Sequence, residues 1–367
     1  MLYGLILAGG IGKRLWPESD SNTPKPFLSR NGKTPLLIET LSRLLPLIPQ
    51  ERIFVSTTNN FASPTASLID NPKISLITEP VSRNTAPAIA LAALTIVRSD
   101  PEAVMAILPS DSFIDDADAF RHVLASANNL INEDPTRLVT IGIVPQFPAT
   151  GYGYIKAIQP LISGESVRRY AETTPLIAEL FAEKPDRTTA EKYLCEHGFY
   201  WNSGIFVWKA SYILDLIAQF IPELEPYTSK TARTNPSAAE NLRIAFDSLH
   251  SVSIDKGVME KAPNVLLIPA PFRWSDLGTF EMLSQADTSR IDGNNNSVTG
   301  ASLFTAEASE NIVRITLPQE SESFTVAIGG INRFLIVLKG NKLLIVPQGR
   351  QDLIQCLADR SESDTVN

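Results

Sequence analysis

Cysteine is nearly absent from this chain of 367 residues: Cys195 and Cys356 are the only two, far apart and with no second Cys or His at ligand spacing. Neither a disulfide framework nor a zinc cluster can be built from that set, and the simplest setting for such a chain is a reduced cytoplasm. Histidine is scarce too. His122, His197 and His250 stand in no triad or metal spacing and read as structural, as does Cys195, taken as a packed thiol. No apolar run approaches the roughly 18 to 20 residues of a membrane span; the longest, Ala86 to Val97, covers about twelve and reads as a core helix. The opening stretch Met1 to Gly10 has no basic leader and breaks into glycines too early for a signal peptide, so a buried strand is expected there. Positive charge is also in deficit. With 32 basic against 40 acidic residues the net charge is -8, a poor match to a nucleic-acid binder, so phosphate would have to be held locally.

What remains is an ordinary globular composition, with 44% hydrophobic and 20% charged residues and a mean hydropathy of +0.01, which excludes wholesale disorder and a fibrous chain. Short runs rich in Val, Ile and Leu alternate with longer amphipathic segments, the pattern of an α/β fold with a mostly parallel sheet. Strands are expected over 2–7, 52–57, 74–78, 104–108, 138–144 and 204–208, and helices over 36–45, 85–97, 116–133 and 211–220. Pro222 to Ala239 reads as a surface connection with broken helix. The texture changes at Gly293-Asn294-Asn295-Asn296, which sets expected domains of 1–289 and 290–367. In the second, helices become rare and strands are expected over 311–317, 324–328, 333–338 and 342–346, the last two joined by a Gly340-Asn341 hairpin. A piece of under about 80 residues is marginal alone and should pack on the main domain or on a second copy.

Three glycines follow the first strand in Leu7-Ala8-Gly9-Gly10-Ile11-Gly12-Lys13-Arg14-Leu15-Trp16-Pro17. They let the backbone turn sharply and offer free N–H groups to a phosphate, although the same glycines also serve a plain strand-to-helix turn. The run fits neither a Walker A loop nor a dinucleotide fingerprint. Just behind it lies Pro24-Lys25-Pro26-Phe27-Leu28, where two prolines stiffen the backbone around a lysine. Arg14 and Lys25 flanking a set of amide donors would make a local polyanion site in an acidic protein. Asp111 at a strand end and Asp276 in a Trp-Ser-Asp turn are each either caps or, if folded together, two carboxylates for Mg²⁺. Asn84 or Thr85 suits a helix N-cap, and an Asn amide also matches a purine edge.

The run from Gly9 to Pro17 followed by Pro24-Lys25-Pro26-Phe27 resembles the signature of sugar-nucleotide pyrophosphorylases, its Leu-Trp-Pro form that of the mannose-1-phosphate guanylyltransferases among them. Seven further motifs fit the same family in the same order: Glu79-Pro80-x-x-Arg83-Asn84-Thr85-Ala86-Pro87-Ala88, Leu108-Pro109-Ser110-Asp111, Gly151-Tyr152-Gly153-Tyr154-Ile155, Phe181-x-Glu183-Lys184-Pro185-Asp186, Trp201-Asn202-Ser203-Gly204, Ser253-Ile254-Asp255 and Trp274-Ser275-Asp276-Leu277-Gly278. The resemblance implies a Rossmann-like, mostly parallel mixed sheet flanked by helices, with a small β-helix-like tail. It implies transfer of GMP from GTP to mannose 1-phosphate with Mg²⁺ on Asp111 and Asp276. Arg14, Lys25 and Lys184 would neutralise phosphates; Leu7, Ala8, Gly9, Gly10, Gly12, Lys13, Asn84, Thr85, Pro109 and Ser110 would line the nucleotide. Gly151, Glu183, Lys184, Asn202 and Asp255 would line the hexose. Relatives more often carry Thr or Ser at position 13; Lys13 either tightens a triphosphate's hold or faces solvent. The chain ends without the long isomerase domain of two-function relatives, so no isomerase activity is expected, and the family suggests a homo-oligomer, a dimer. The open alternatives are another base or hexose, or a silent nucleotide-sugar-binding regulatory subunit.

Overall fold

The computed structural model describes all residues except Ile11, 162–173, 288–290, 318–323 and 365–367. The strands are β1 (Leu2–Leu7), β2 (Ile53–Thr58), β3 (Ser75–Glu79), β4 (Val104–Pro109), β5 (Phe113–Ile114), β6 (Leu138–Ile143), β7 (Tyr154–Pro160), β8 (Leu176–Ala182), β9 (Phe199–Lys209), β10 (Val265–Pro269), β11 (Trp274–Ser275), β12 (Ser297–Thr299), β13 (Ser302–Ala306), β14 (Ile312–Thr316), β15 (Thr325–Gly329), β16 (Phe334–Lys339) and β17 (Lys342–Pro347). The helices are α1 (Leu36–Leu44), α2 (Asn59–Ile69), α3 (Thr85–Ser99), α4 (Ala117–Glu133), α5 (Arg187–Cys195), α6 (Ala210–Phe220), α7 (Glu225–Thr228), α8 (Ala238–Ala245), α9 (Phe280–Ala286) and α10 (Gln351–Asp364). No helix among the described residues is long and apolar enough to cross a membrane.

The chain divides into two compact units. Unit 1 holds Met1–Gly9, Leu41–Ser110 and Ile114–Trp274; unit 2 holds Gly10–Thr40, Asp111–Phe113 and Ser275–Asn367. Unit 1 is built on a nine-stranded sheet of order β3-β2-β1-β4-β9-β6-β10-β8-β7. Its β3-β2-β1-β4 half is parallel, as the alternation of strands and helices predicts. The other half departs from a mostly parallel sheet: β9 runs antiparallel to β4, β6 and β7, and β8 to β7 and β10. The sequence pattern missed this because β7 and β8 carry partly exposed, charged faces in place of a continuous apolar run. The expected core helix is α3, an alanine-rich segment with Pro87 in its first turn and Ala86 to Leu94 buried against Leu5, Ile107 and Phe206. Small side chains let this helix lie close to the sheet.

Unit 2 joins the glycine and lysine motifs to the C-terminal tail. Parallel β12-β14-β16 and parallel β13-β15 form two small sheets, and β17 closes the first by an antiparallel hairpin through Gly340. Rungs are tied by stacked amides: Asn311 Nδ2 donates to Asn296 Oδ1 at 2.9 Å and to the Ile331 carbonyl at 2.9 Å. Gly300 turns at φ 77°, and a Cβ there would fall 1.9 Å from the Ile315 carbonyl oxygen, so only glycine fits. The tail's core includes Leu15, Leu28 and Leu36 beside Ile312, Leu335 and Val346. Compactness therefore groups 10–40 with the tail, in a division other than the single expected boundary, which falls at residues outside those described. Helix α10, absent from the sequence reading of the tail, also belongs to this unit.

Candidate functional site

In unit 2 the local order of the glycine loop comes from a few short bonds. Gly12 sits at φ 78°, and a Cβ there would meet Lys25 Cβ at 2.7 Å, so this glycine is required by the fold. A Cβ on Gly9 or Gly10 would meet no described atom within 4 Å. Packing does not demand glycine at those two positions, whereas close approach of a ligand would. Pro24 leads a 3-10 turn over Lys25–Phe27 that aims the lysine, as the two prolines predict. Its ammonium contacts Asp111 Oδ2 at 2.8 Å and donates to the Asp276 carbonyl at 2.5 Å. The two aspartates, 165 positions apart in the numbering, are thereby gathered around one lysine (276 minus 111).

Asp276 is fixed by its own turn. Leu277 takes φ 47°, the Gly278 amide donates to Asp276 Oδ1 at 3.1 Å, and a Cβ on Gly278 would strike Asp276 Oδ2 at 2.7 Å. Two hard carboxylate donors suit Mg²⁺, which keeps waters and takes phosphate oxygens as its remaining ligands. No group of three or more candidate ligands exists among the described residues, so an all-protein cage is not what this site offers. Arg14 is exposed. Lys13 pairs with Asp359 of α10 at 3.1 Å, an exposed contact of small worth.

Unit 1 carries the remaining residues in two groups. At the C-terminal ends of the parallel strands, the Ser110 amide donates to the Leu7 carbonyl at 3.1 Å and the Ala8 amide to the Ser56 carbonyl at 2.7 Å. Pro109, Ser110, Leu7 and Ala8 are thus neighbours at the edge where open α/β sheets bind ligands. Asn84 caps α3, its side chain accepting from the Thr85 amide at 2.9 Å at φ 68°. Thr85 Oγ1 accepts from the Ile254 amide at 2.8 Å, which docks this cap beside the Asp255 turn. Glu79, to which the sequence motifs assign no role, has a buried carboxyl that accepts from Ser56 Oγ at 2.7 Å and is pushed up to about 7 by burial. The available signal was an acid ending an apolar strand just before a proline.

The second group comes together around Asn202. Its Nδ2 donates to Asp255 Oδ1 at 2.8 Å, and its Oδ1 accepts from the Gly204 amide at 3.1 Å. A register shift between Thr140 and Gly142 in the β6–β9 pairing lies where β9 carries these residues. Lys184, at φ 49°, pairs with Glu183 Oε1 at 2.8 Å. Burial, then the neighbouring Glu183 carboxylate, push Asp255 up to about 6. Gly153 is the glycine this cluster needs, since a Cβ there would fall 2.6 Å from Glu183 Oε2 and 3.3 Å from Asn202 Cβ; at Gly151, the residue singled out by sequence, a Cβ would meet no described atom within 4 Å. Tyr152 and Trp201 stack edge-on at 5.1 Å and stiffen the wall. Cys195 is exposed at the end of α5, a correction to its reading as a packed thiol, and Cys356 is exposed too.

Comparison with known proteins shows the family. Residues 3–292 match the family model described as Nucleotidyl transferase. Mannose-1-phosphate guanylyltransferase of Escherichia coli is 34% identical over 358 residues, 96% of this chain and 72% of that protein. The Salmonella muenchen protein of the same name is 34% identical over 374 residues, 100% of this chain and 74% of that protein. Among solved structures, one titled mannose-1-phosphate geranyltransferase, from Thermus thermophilus, superposes with a TM-score of 0.83 at 27% identity, covering 98% of this chain and 99% of that one. The family match over residues 3–292 and these likenesses over nearly the whole length lead to one conclusion: the chain belongs to the nucleotidyl transferase family.

Proposed function

We propose that this enzyme joins GTP to α-D-mannose 1-phosphate, giving GDP-mannose and pyrophosphate in the cytoplasm, as a homodimer. The observation that carries the reading is Lys25 held against Asp111 and the Asp276 turn, an arrangement for neutralising and aligning phosphates. The sugar phosphate is already an anion near neutral pH. Its oxygen attacks the α-phosphorus, a new P–O bond forms, the bond to the β-phosphate oxygen breaks and pyrophosphate leaves with the electron pair. No general base is required, in keeping with a sequence that offers no catalytic histidine. Catalysis then consists of positioning and charge stabilisation.

Arg14 and the amides of Gly9, Gly10 and Gly12 would hold the departing pyrophosphate, and Lys25 and Lys184 the phosphates being joined. Asp111 and Asp276 would hold Mg²⁺, which when bound supplies positive charge at the phosphates. Asn84 and Thr85 would sit along the nucleotide, with Lys13 at its phosphates. Glu183, Asn202 and Asp255 present acceptors and a donor to hexose hydroxyls, with Gly151 allowing close approach of the backbone; such sites discriminate because an unmatched buried polar group is costly. The catalytic part is taken as 1–289, close to the 3–292 family match, and the tail as a short β-helix. Pyrophosphate release, measured with GTP, ATP and UTP crossed against mannose 1-phosphate and glucose 1-phosphate, should be highest for GTP with mannose 1-phosphate. Preference for another pair would refute the base or hexose assignment, and no release with any pair would favour a silent regulatory subunit.

A further inference from the structure

Unit 2 contains a cavity of about 500 Å³ lined by none of the residues assigned above, a volume in the range of small-molecule sites. One wall is the 18–33 stretch just after the glycine loop, with Thr23 and Lys33; the other includes Thr299, Arg314, Thr316 and Lys339. Arg314 is 3% exposed. Its Nε donates to both oxygens of Glu18 at 3.0 and 3.1 Å, its Nη1 to the Arg30 carbonyl at 3.1 Å and its Nη2 to the Ser29 carbonyl at 2.8 Å. A guanidinium has five N–H groups, so one on each Nη is left over. Lys339 Nζ donates to the Glu18 carbonyl at 2.8 Å and lies 3.9 Å from Asp20, with further N–H groups to give. Burial pulls its pKa below the ordinary lysine value, a cost that a bound anion would offset. Three cations thus face a cavity whose one lining carboxylate, Glu18, is already bound to Arg314, in a chain of net charge -8. The threonine hydroxyls around them suit a polyol.

We propose that this cavity is a second phosphate site, which takes the phosphate and adjoining hydroxyls of a small phosphorylated polyol and thereby holds the 18–33 stretch in place. Binding here does not depend on the reaction proposed above. The test is calorimetric titration of the full-length chain with inorganic phosphate and, separately, glucose 6-phosphate, with amide hydrogen exchange followed over 18–33. Both probes should bind saturably, glucose 6-phosphate more tightly, and exchange over 18–33 should slow. Lys33→Met, at an exposed position, and Lys339→Met should each weaken binding at least tenfold, whereas Arg14→Ala and Lys184→Met should leave it unchanged. Absence of saturation, or binding that survives Lys33→Met and Lys339→Met but is lost in Arg14→Ala or Lys184→Met, would overturn the proposal. Glucose 6-phosphate binding no tighter than inorganic phosphate would overturn the polyol assignment.

Discussion

The Asn202 cluster of unit 1 and the glycine-lysine loop of unit 2 acquire their geometry by different means. Asn202 projects from an eleven-residue strand inside a nine-stranded sheet, and its amide is held at both ends by Asp255 and the Gly204 amide. Among its described residues the stretch from Gly10 to α1 has two 3-10 turns and one isolated bridge, Ser29 to Pro35, too little regular structure to fix a lysine. Its order comes from the tail: Leu15 and Leu28 share a core with Ile312 and Leu335, and Glu18 is clasped by Arg314. A cluster on a strand inherits rigidity from the ladder, whereas a loop must obtain it from tertiary contacts. The tail is therefore more than an appendage. It is the scaffold of the loop that carries Lys25.

The contrast between the two regions breaks most sharply at the aspartates. Asp111→Ala should lower kcat at least about a thousandfold, in line with loss of a main electrostatic group, while circular dichroism and Tm stay near wild type. A near-normal kcat would sink the proposal that Asp111 holds Mg²⁺. The next effect concerns the scaffold. Arg314→Leu leaves Glu18 buried without its guanidinium partner, a loss of up to about 3–5 kcal/mol, read as a fall in Tm; the Glu18→Leu, Arg314→Leu double variant should recover most of it. If the tail orders the loop, the KM for GTP should rise in Arg314→Leu while that for mannose 1-phosphate holds. Equal changes in both would reduce Arg314 to a general stabiliser.

The smallest effect belongs to unit 1. Glu79 has its folded pKa raised to about 7 from 4.5, so its contribution to stability is present below pH 4.5 and is lost as pH rises through 7. Glu79→Gln should match wild type in thermal unfolding at pH 4 and exceed it at pH 8, with an upper limit of about 3 kcal/mol from the size of the shift. A difference independent of pH would show that the carboxyl is not held protonated by burial.

Much of the site was legible in the sequence because it depends on local chemistry. Gly12 was readable from the glycine run, Pro24 and Pro26 announced a stiff lysine, and Asn84-Thr85 announced a helix cap at one of the two residues, each a constraint on backbone angles within a few residues. Strands β1 and β4 and helix α3 were legible for the same reason, since continuous apolar runs mark buried parallel elements. The antiparallel β7–β8–β9 half was not, because strand direction and order depend on which edges meet. Nor was the need for Gly153, which arises only when Glu183 and Asn202, from two other strands or strand ends, close around it.

By itself, then, the sequence determined which residues can bear charge, turn tightly or enter the core, and in what order they occur. Only the tertiary structure decided that Lys25 stands against Asp111 and the Asp276 turn, that Glu79 is desolvated beside Ser56, and that Arg314 reaches back to Glu18, 296 positions earlier. The physical reason is that backbone angles and side-chain chemistry are properties of short segments. Desolvation and charge pairing are properties of the space between segments, and that space exists only in the folded chain.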